Sequence, residues 1–179
     1  MEGEYSEDRA FADRLEKETI KILLFLPLRN GECCVKIRVA TVQEDRELNC
    51  DYVGTFRDGS IIHISARITR YGKYGTDIKF RNRGRKGNPN SEVSKIKNGL
   101  GHVMLYMEAS QDETYIEDYI LLNLSIVCDF LKNEDATVSK YYGIHSNKDG
   151  SECRTVNLYQ LRQYNPKVVI FETDKTKRK

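Results

Sequence analysis

At 179 residues, 39% of them hydrophobic, the chain has the length of one domain and enough apolar material to bury a core. Its net charge of +2 hides an asymmetry: from Arg67 to Lys97 ten Lys and Arg stand against two acids, +8 in that stretch, which leaves −6 elsewhere. No run of about 18 apolar residues could cross a membrane, the acidic start MEGEYSEDRAF is no signal peptide, and the five cysteines and three histidines lack zinc spacing, so the chain reads as a cytoplasmic protein with reduced core thiols.

Residues 1–8 are polar and read as frayed, as do 173–179, which end in the basic run KTKRK. A helix is predicted from Ser6 to Phe25, with Ser6 as its cap and Glu7 and Asp8 in the first turn. Phe11, Leu15 and Ile22 share a helical stripe, as do Ala12, Ile20 and Leu23, and Glu16 falls at the edge of that face. Pro27 and Asn30-Gly31 end the helix. Residues 33–42 alternate as a strand, and the charged 44–47 reads as a turn. A hairpin follows around Asp58-Gly59, a dipeptide that supplies positive φ in a tight turn. On its second strand Ile62, Ile64, Ala66 and Ile68 face one way and His63, Ser65, Arg67 and Thr69 the other.

Gly72 and Gly75 bracket a loop before a short strand over 76–81, and the Gly-, Asn- and Arg-rich residues after it read as a second loop. A helix capped by Ser91 runs to Asn98, stopped by Gly99 and Gly101. Strands are predicted over 102–109 and 117–125, with a helix over 126–133. A single helix over 115–132 fits the same continuous apolar run. Paired strands over 139–145 and 153–161 and a last strand over 168–171 complete an α/β chain, a mixed central sheet with helices on either side. Residues 1–179 read as one domain without repeat or linker.

The basic stretch is interleaved with Tyr71, Tyr74 and Phe80 and rich in glycine. That composition points to a polyanion partner, DNA in preference to RNA, through Arg70, Lys73, Arg81, Arg83, Arg85, Lys86, Lys95 and Lys97.

Taken in order, Glu16 on the first helix, Asp51 on the first hairpin strand, and Ser65-Ala66-Arg67 on the second resemble the PD-(D/E)XK nuclease superfamily, the fold of many restriction enzymes, Holliday-junction resolvases and phage nucleases. The resemblance covers roughly residues 11–161. It implies a restriction-endonuclease-like sheet and a metal-dependent DNA endonuclease that hydrolyses phosphodiesters, with Mg²⁺ held by carboxylates. The catalytic set it implies is Glu16, Asp51, Ser65 and Arg67, with Glu16 and Asp51 as metal ligands; restriction-type enzymes are often homodimers. The chain departs from the pattern on the second strand, where Ser65 replaces a carboxylate and Arg67 a lysine. Arginine grips phosphate but stays charged and cannot relay a proton. Two alternatives stay open. Asp77-Ile78-Lys79 supplies its own D-x-K, which would make Asp51, Asp77 and Lys79 the catalytic set, Asp77 a metal ligand and Lys79 the cation that stabilises developing negative charge, with Glu16 assisting. Otherwise the chain keeps the fold, has lost hydrolysis, and binds DNA or RNA or inhibits nucleic-acid machinery.

Overall fold

A computed structural model describes residues 2–72, 77–83, 91–134, 143–146 and 152–173, without the side chains of 2–6, 8, 9, 82, 83, 134 and 143–146. The first helix, α1 (Glu2–Phe25), is 24 residues long and passes straight through Ser6, so Ser6 is not its cap. It ends two residues before Pro27, whose ring disfavours a helical conformation in the residue preceding it. Among the described residues no helix is long and apolar enough to cross a membrane.

The strand expected over 33–42 shrinks to β1 (Lys36–Val39), an exposed edge, because the chain turns into a helix, α2 (Val42–Leu48), where a simple turn was expected. Thr41 and Glu44 explain this. The Thr41 hydroxyl accepts from the Glu44 amide at 3.2 Å, and the Glu44 carboxylate accepts from the Thr41 amide at 2.8 Å, a reciprocal capping box. Arg38 adds two hydrogen bonds to Glu44 and, with those from Thr41, holds its carboxyl down to about 2.

The hairpin forms as expected from β2 (Tyr52–Thr55) and β3 (Ile61–Thr69), with Gly59 at φ 82° in the turn. The chain then leaves the main sheet for β4 (Asp77–Arg83) and α3 (Glu92–Lys97), whose cap is Ser91. It returns as β5 (Val103–Ala109) and β6 (Ile116–Asn123), and α4 (Leu124–Glu134) follows directly, so the strand-then-helix alternative is the one adopted. The 153–161 strand divides: β8 (Glu152–Asn157) pairs with β7 (Gly143–Ser146), and Asn157 then caps α5 (Leu158–Tyr164) by accepting from the Tyr159 amide. The expected turn at 147–150 lies outside the described residues. The last strand is β9 (Val169–Glu172), and Thr173 after it is bonded to the Tyr119 amide and to Asp118.

The main sheet has six strands in the order β1-β2-β3-β5-β6-β9. Within it β3 and β5 are parallel and the other neighbours antiparallel. This is the mixed α/β sheet expected from the element order. The strand carrying Asp77 and Lys79 does not join it: β4 belongs to a separate three-stranded sheet, β4-β8-β7. One face of the main sheet packs Ile64, Leu105, Met107 and Leu121 against Phe11, Leu15 and Leu23 of α1. The other packs Met104, Tyr106, Ile120 and Leu122 against α3, α4, α5 and the apolar face of the second sheet, Ile78, Phe80 and Val156. The alternation read on β3 holds, and it aims Ser65 and Arg67 toward this second sheet.

Candidate functional site

Asp51 sits where two adjoining clefts meet. It is the residue just before β2, fixed by its amide donating to Ile64 O at 2.9 Å and its carbonyl accepting from the Ala40 amide at 2.8 Å. Its carboxylate accepts from the Ala66 amide at 2.7 Å. The cleft walls strip water from this carboxyl and, with the charges of Asp45 and Glu92, push it up to about 6 against the opposing pull of Ala66 N–H and Arg67. The side chain is still reached by solvent at the cleft mouth.

The larger cleft, about 660 Å³, lies between α1 and α2 and is lined by Asp13, Glu16, Asp45 and Asp51, with Arg46 and Arg81 opposite. Glu16 is half-buried at the edge of the α1 stripe, so the resemblance's first two carboxylates face one space. The smaller cleft, about 380 Å³, is walled by Asp45, Asn49, Asp51, Ser65, Arg67, Arg81, Glu92 and Lys95.

Ser65 and Arg67 are both committed there. The buried Ser65 hydroxyl donates to Asn49 O at 2.5 Å and accepts from Asn49 Nδ2 at 3.3 Å. Asn49 can do this because it closes α2 in the left-handed region, φ 54°. Arg67 donates to Glu92 at 2.8 Å and to the Lys79 carbonyl, bridging β3 to the second sheet. Glu92 also accepts from the Arg81 amide at 2.8 Å. Burial opposes the charge on Arg67, but Glu92, Tyr106 and Asp51 outweigh it and raise its pKa. Lys95 reaches across to the Asp45 carbonyl at 2.6 Å and ties α3 to α2.

Glu16, Asp51, Ser65, Arg67, Arg81 and Lys95 therefore converge on these clefts. Asp77 and Lys79 line neither; Asp77 instead accepts from Asn157 Nδ2 at 2.8 Å and registers β4 on β8. Arg70 is turned toward α1, bonded to Glu113 and laid over the Phe11 ring at 4.7 Å. Lys97 lies in the last turn of α3, and Arg83 ends β4. Lys73, Arg85 and Lys86 lie outside the described residues. Of the cysteines expected in the core, Cys33 is exposed and Cys153 half-buried, while Cys34, Cys50 and Cys128 are buried; all five are thiols.

Asp45, Asn49 and Glu92 complete the site and were not singled out from the sequence. The Thr41-x-x-Glu44 box was the available signal for the first two, since it predicts α2 and so places Asp45 on a helix and Asn49 at its end. Glu92 carried no signal beyond its place after the Ser91 cap.

The Mg²⁺ implied by the resemblance needs two or three carboxylates closing on one point. Among the described residues no three His, Cys, Asp or Glu side chains do so. Ser65 is engaged by Asn49 and Glu92 by Arg67, which leaves Asp51 alone on the hairpin as a donor. As they stand, the described side chains do not close three such ligands on one point for the ion.

No family model, curated protein or solved structure matches this chain.

Proposed function

We propose that this chain is a nucleic-acid-binding protein on a nuclease-like core, in which β3 supplies a phosphate contact and not a hydrolytic lysine. The observation that carries the reading is the Ser65/Arg67 pair. Its hydroxyl is locked on Asn49 and its guanidinium, 25% exposed, opens on a cleft that Arg81 and Lys95 also line. A planar guanidinium fork matches two phosphate oxygens. Glu92 is its resident counter-ion until a phosphate displaces it. Duplex DNA is the preferred partner, with the exposed Lys79 and Arg81 of β4 extending the contact from the second sheet.

Fluorescence anisotropy with labelled duplex, single-stranded DNA and RNA, across about 50 to 200 mM salt, tests this. Binding to duplex that weakens with salt, and loses about 0.9 of the log–log slope for each of Arg67→Ala and Arg81→Ala, is the expected result. Absence of binding at low salt overturns it.

A second reading, the Mg²⁺-dependent endonuclease, is favoured by Glu16, Asp45 and Asp51 lining one cleft. It requires those carboxylates to draw together around an ion. Plasmid cleavage with Mg²⁺ or Mn²⁺ that Asp51→Ala and Glu16→Ala abolish would establish it in place of the first.

A further inference from the structure

Beyond the loop Gly99–Gly101 from the Asp51 clefts lies a further cavity of about 850 Å³, within the range of small-molecule sites. Its walls are mainly apolar: Leu28, Phe56, Ile62, Val103, Leu124 and Ile170. Its charged lining consists of Arg29 and Asp129, with His102 as the remaining titratable ring among the described residues.

Arg29 is fully engaged. It donates to Ser60 at 2.5 Å, Glu32 at 2.6 Å and Asp58 at 3.0 Å, and its guanidinium lies 3.9 Å from the centre of the Phe56 ring. It forms wall rather than a receptor for an anion. His102 is fixed as well: its Nδ1 accepts from the His63 amide at 2.8 Å, its amide donates to His63 O at 3.0 Å, and the two rings stack at 5.1 Å. A ring whose Nδ1 accepts carries its proton on Nε2. Burial and the neighbouring His63 lower its pKa, so at neutral pH it offers an N–H and an aromatic surface, not a charge. Asp129, exposed on α4, makes no hydrogen bond or ion pair among the described residues. Among the described lining residues, the charge without a partner is therefore one solvent-exposed carboxylate beside apolar walls.

We propose that this cavity binds a small amphiphilic amine, its ammonium on Asp129 and its apolar or aromatic body against Phe56, Ile62, Leu124 and the His102 ring. The fit is by charge and polarity together. An anion meets Asp129 with no free cation among the described lining residues, and a neutral apolar molecule leaves the carboxylate to water.

Titration of the full chain with phenylbutylamine, phenylbutanol and phenylbutyrate, followed by amide NMR, tests the proposal. The three probes share one apolar body and differ in the head group. The amine is expected to bind about tenfold tighter than the alcohol, and the carboxylate weakest, with shifts concentrated at Phe56, His102 and Leu124. Asp129→Asn should bring the amine down to the affinity of the alcohol. Ser125→Phe, which fills the cavity from an exposed position on α4, should weaken all three. Both changes lie at exposed positions, and an unchanged amide spectrum elsewhere confirms the fold. Equal affinity for amine and alcohol, a preference for the carboxylate, retention of the amine preference in Asp129→Asn, or shifts outside this cavity would overturn it. So would binding of a lysine-containing apolar peptide where all three small probes fail, which would make the cavity a peptide groove.

Discussion

Replacing Glu92 by Gln should make the protein less stable and a better ligand for polyanions at once. Glu92 and Arg67 are 13% and 25% exposed and 2.8 Å apart, between the surface and the interior. Breaking a fully buried pair costs about 3–5 kcal/mol and a surface pair about 0–1, so a loss of about 2 kcal/mol is expected here. The Gln carbonyl can still accept from the Arg81 amide, so the loss reports the charge and not the shape. For a chain of this size that corresponds to about 4–8 °C in Tm. In the same variant Arg67 no longer has an internal counter-ion. Phosphate no longer has to displace Glu92 from Arg67, so affinity for duplex DNA should rise about tenfold, while the log–log salt slope, to which Arg67 already contributes, stays as in wild type. Urea denaturation and salt-titrated anisotropy on the same samples measure both. A change in stability below about 0.5 kcal/mol would show that the pair is screened like a surface bridge. An unchanged affinity for duplex DNA would show that Arg67 does not meet phosphate.

Three further outcomes follow from the geometry. A methyl group on Gly54 would lie 2.6 Å from Cys34 Sγ and 2.8 Å from Ile62 Cγ2, so Gly54→Ala should cost about 1–3 kcal/mol in chemical denaturation by overpacking the β1–β3 corner. Thr41→Ala removes half of the α2 capping box and should cost about 1 kcal/mol, with raised hydrogen exchange confined to 42–48. Asp51, raised to about 6 from its usual 3.8, binds its proton more tightly in the folded than in the unfolded chain. Its contribution therefore falls as pH rises through about 4 to 6. Asp51→Asn should raise Tm at pH 7 and leave it unchanged near pH 4, and a Tm–pH profile parallel to wild type would refute this.

The class of the fold could be read from the chain because its signals were local. Asp58-Gly59, the alternation from Ile62 to Ile68, and the Ser91 cap each act over a few residues, and each appears where expected. What could not be read was partnership. Nothing in Asp77-Ile78-Lys79 distinguishes a strand in the main sheet from one paired with residues 152–157, because both bury Ile78 and expose the polar neighbours. The same holds for the site. Asp51, Ser65 and Arg67 were legible from strand alternation, but Asn49 and Glu92 come from the ends of two helices whose approach depends on tertiary packing. The Thr41-Glu44 box was present and outweighed by the charge of residues 44–47, which resembles a turn.

The second sheet is assembled from two separate excursions of the chain. β4 leaves after β3, and β7 and β8 leave after α4, so Asp77 meets Asn157 across 80 residues. Contacts of such separation carry a loop-closure entropy that local contacts do not, and they slow folding. The roof that holds the Lys79 carbonyl over Arg67 is thus the non-local part of the fold, laid on a six-stranded sheet that does not depend on it for pairing. Its apolar face, Ile78, Phe80 and Val156, is buried against Met104, Tyr106 and Ile120, so Arg67 is covered by a layer that also closes half of the core.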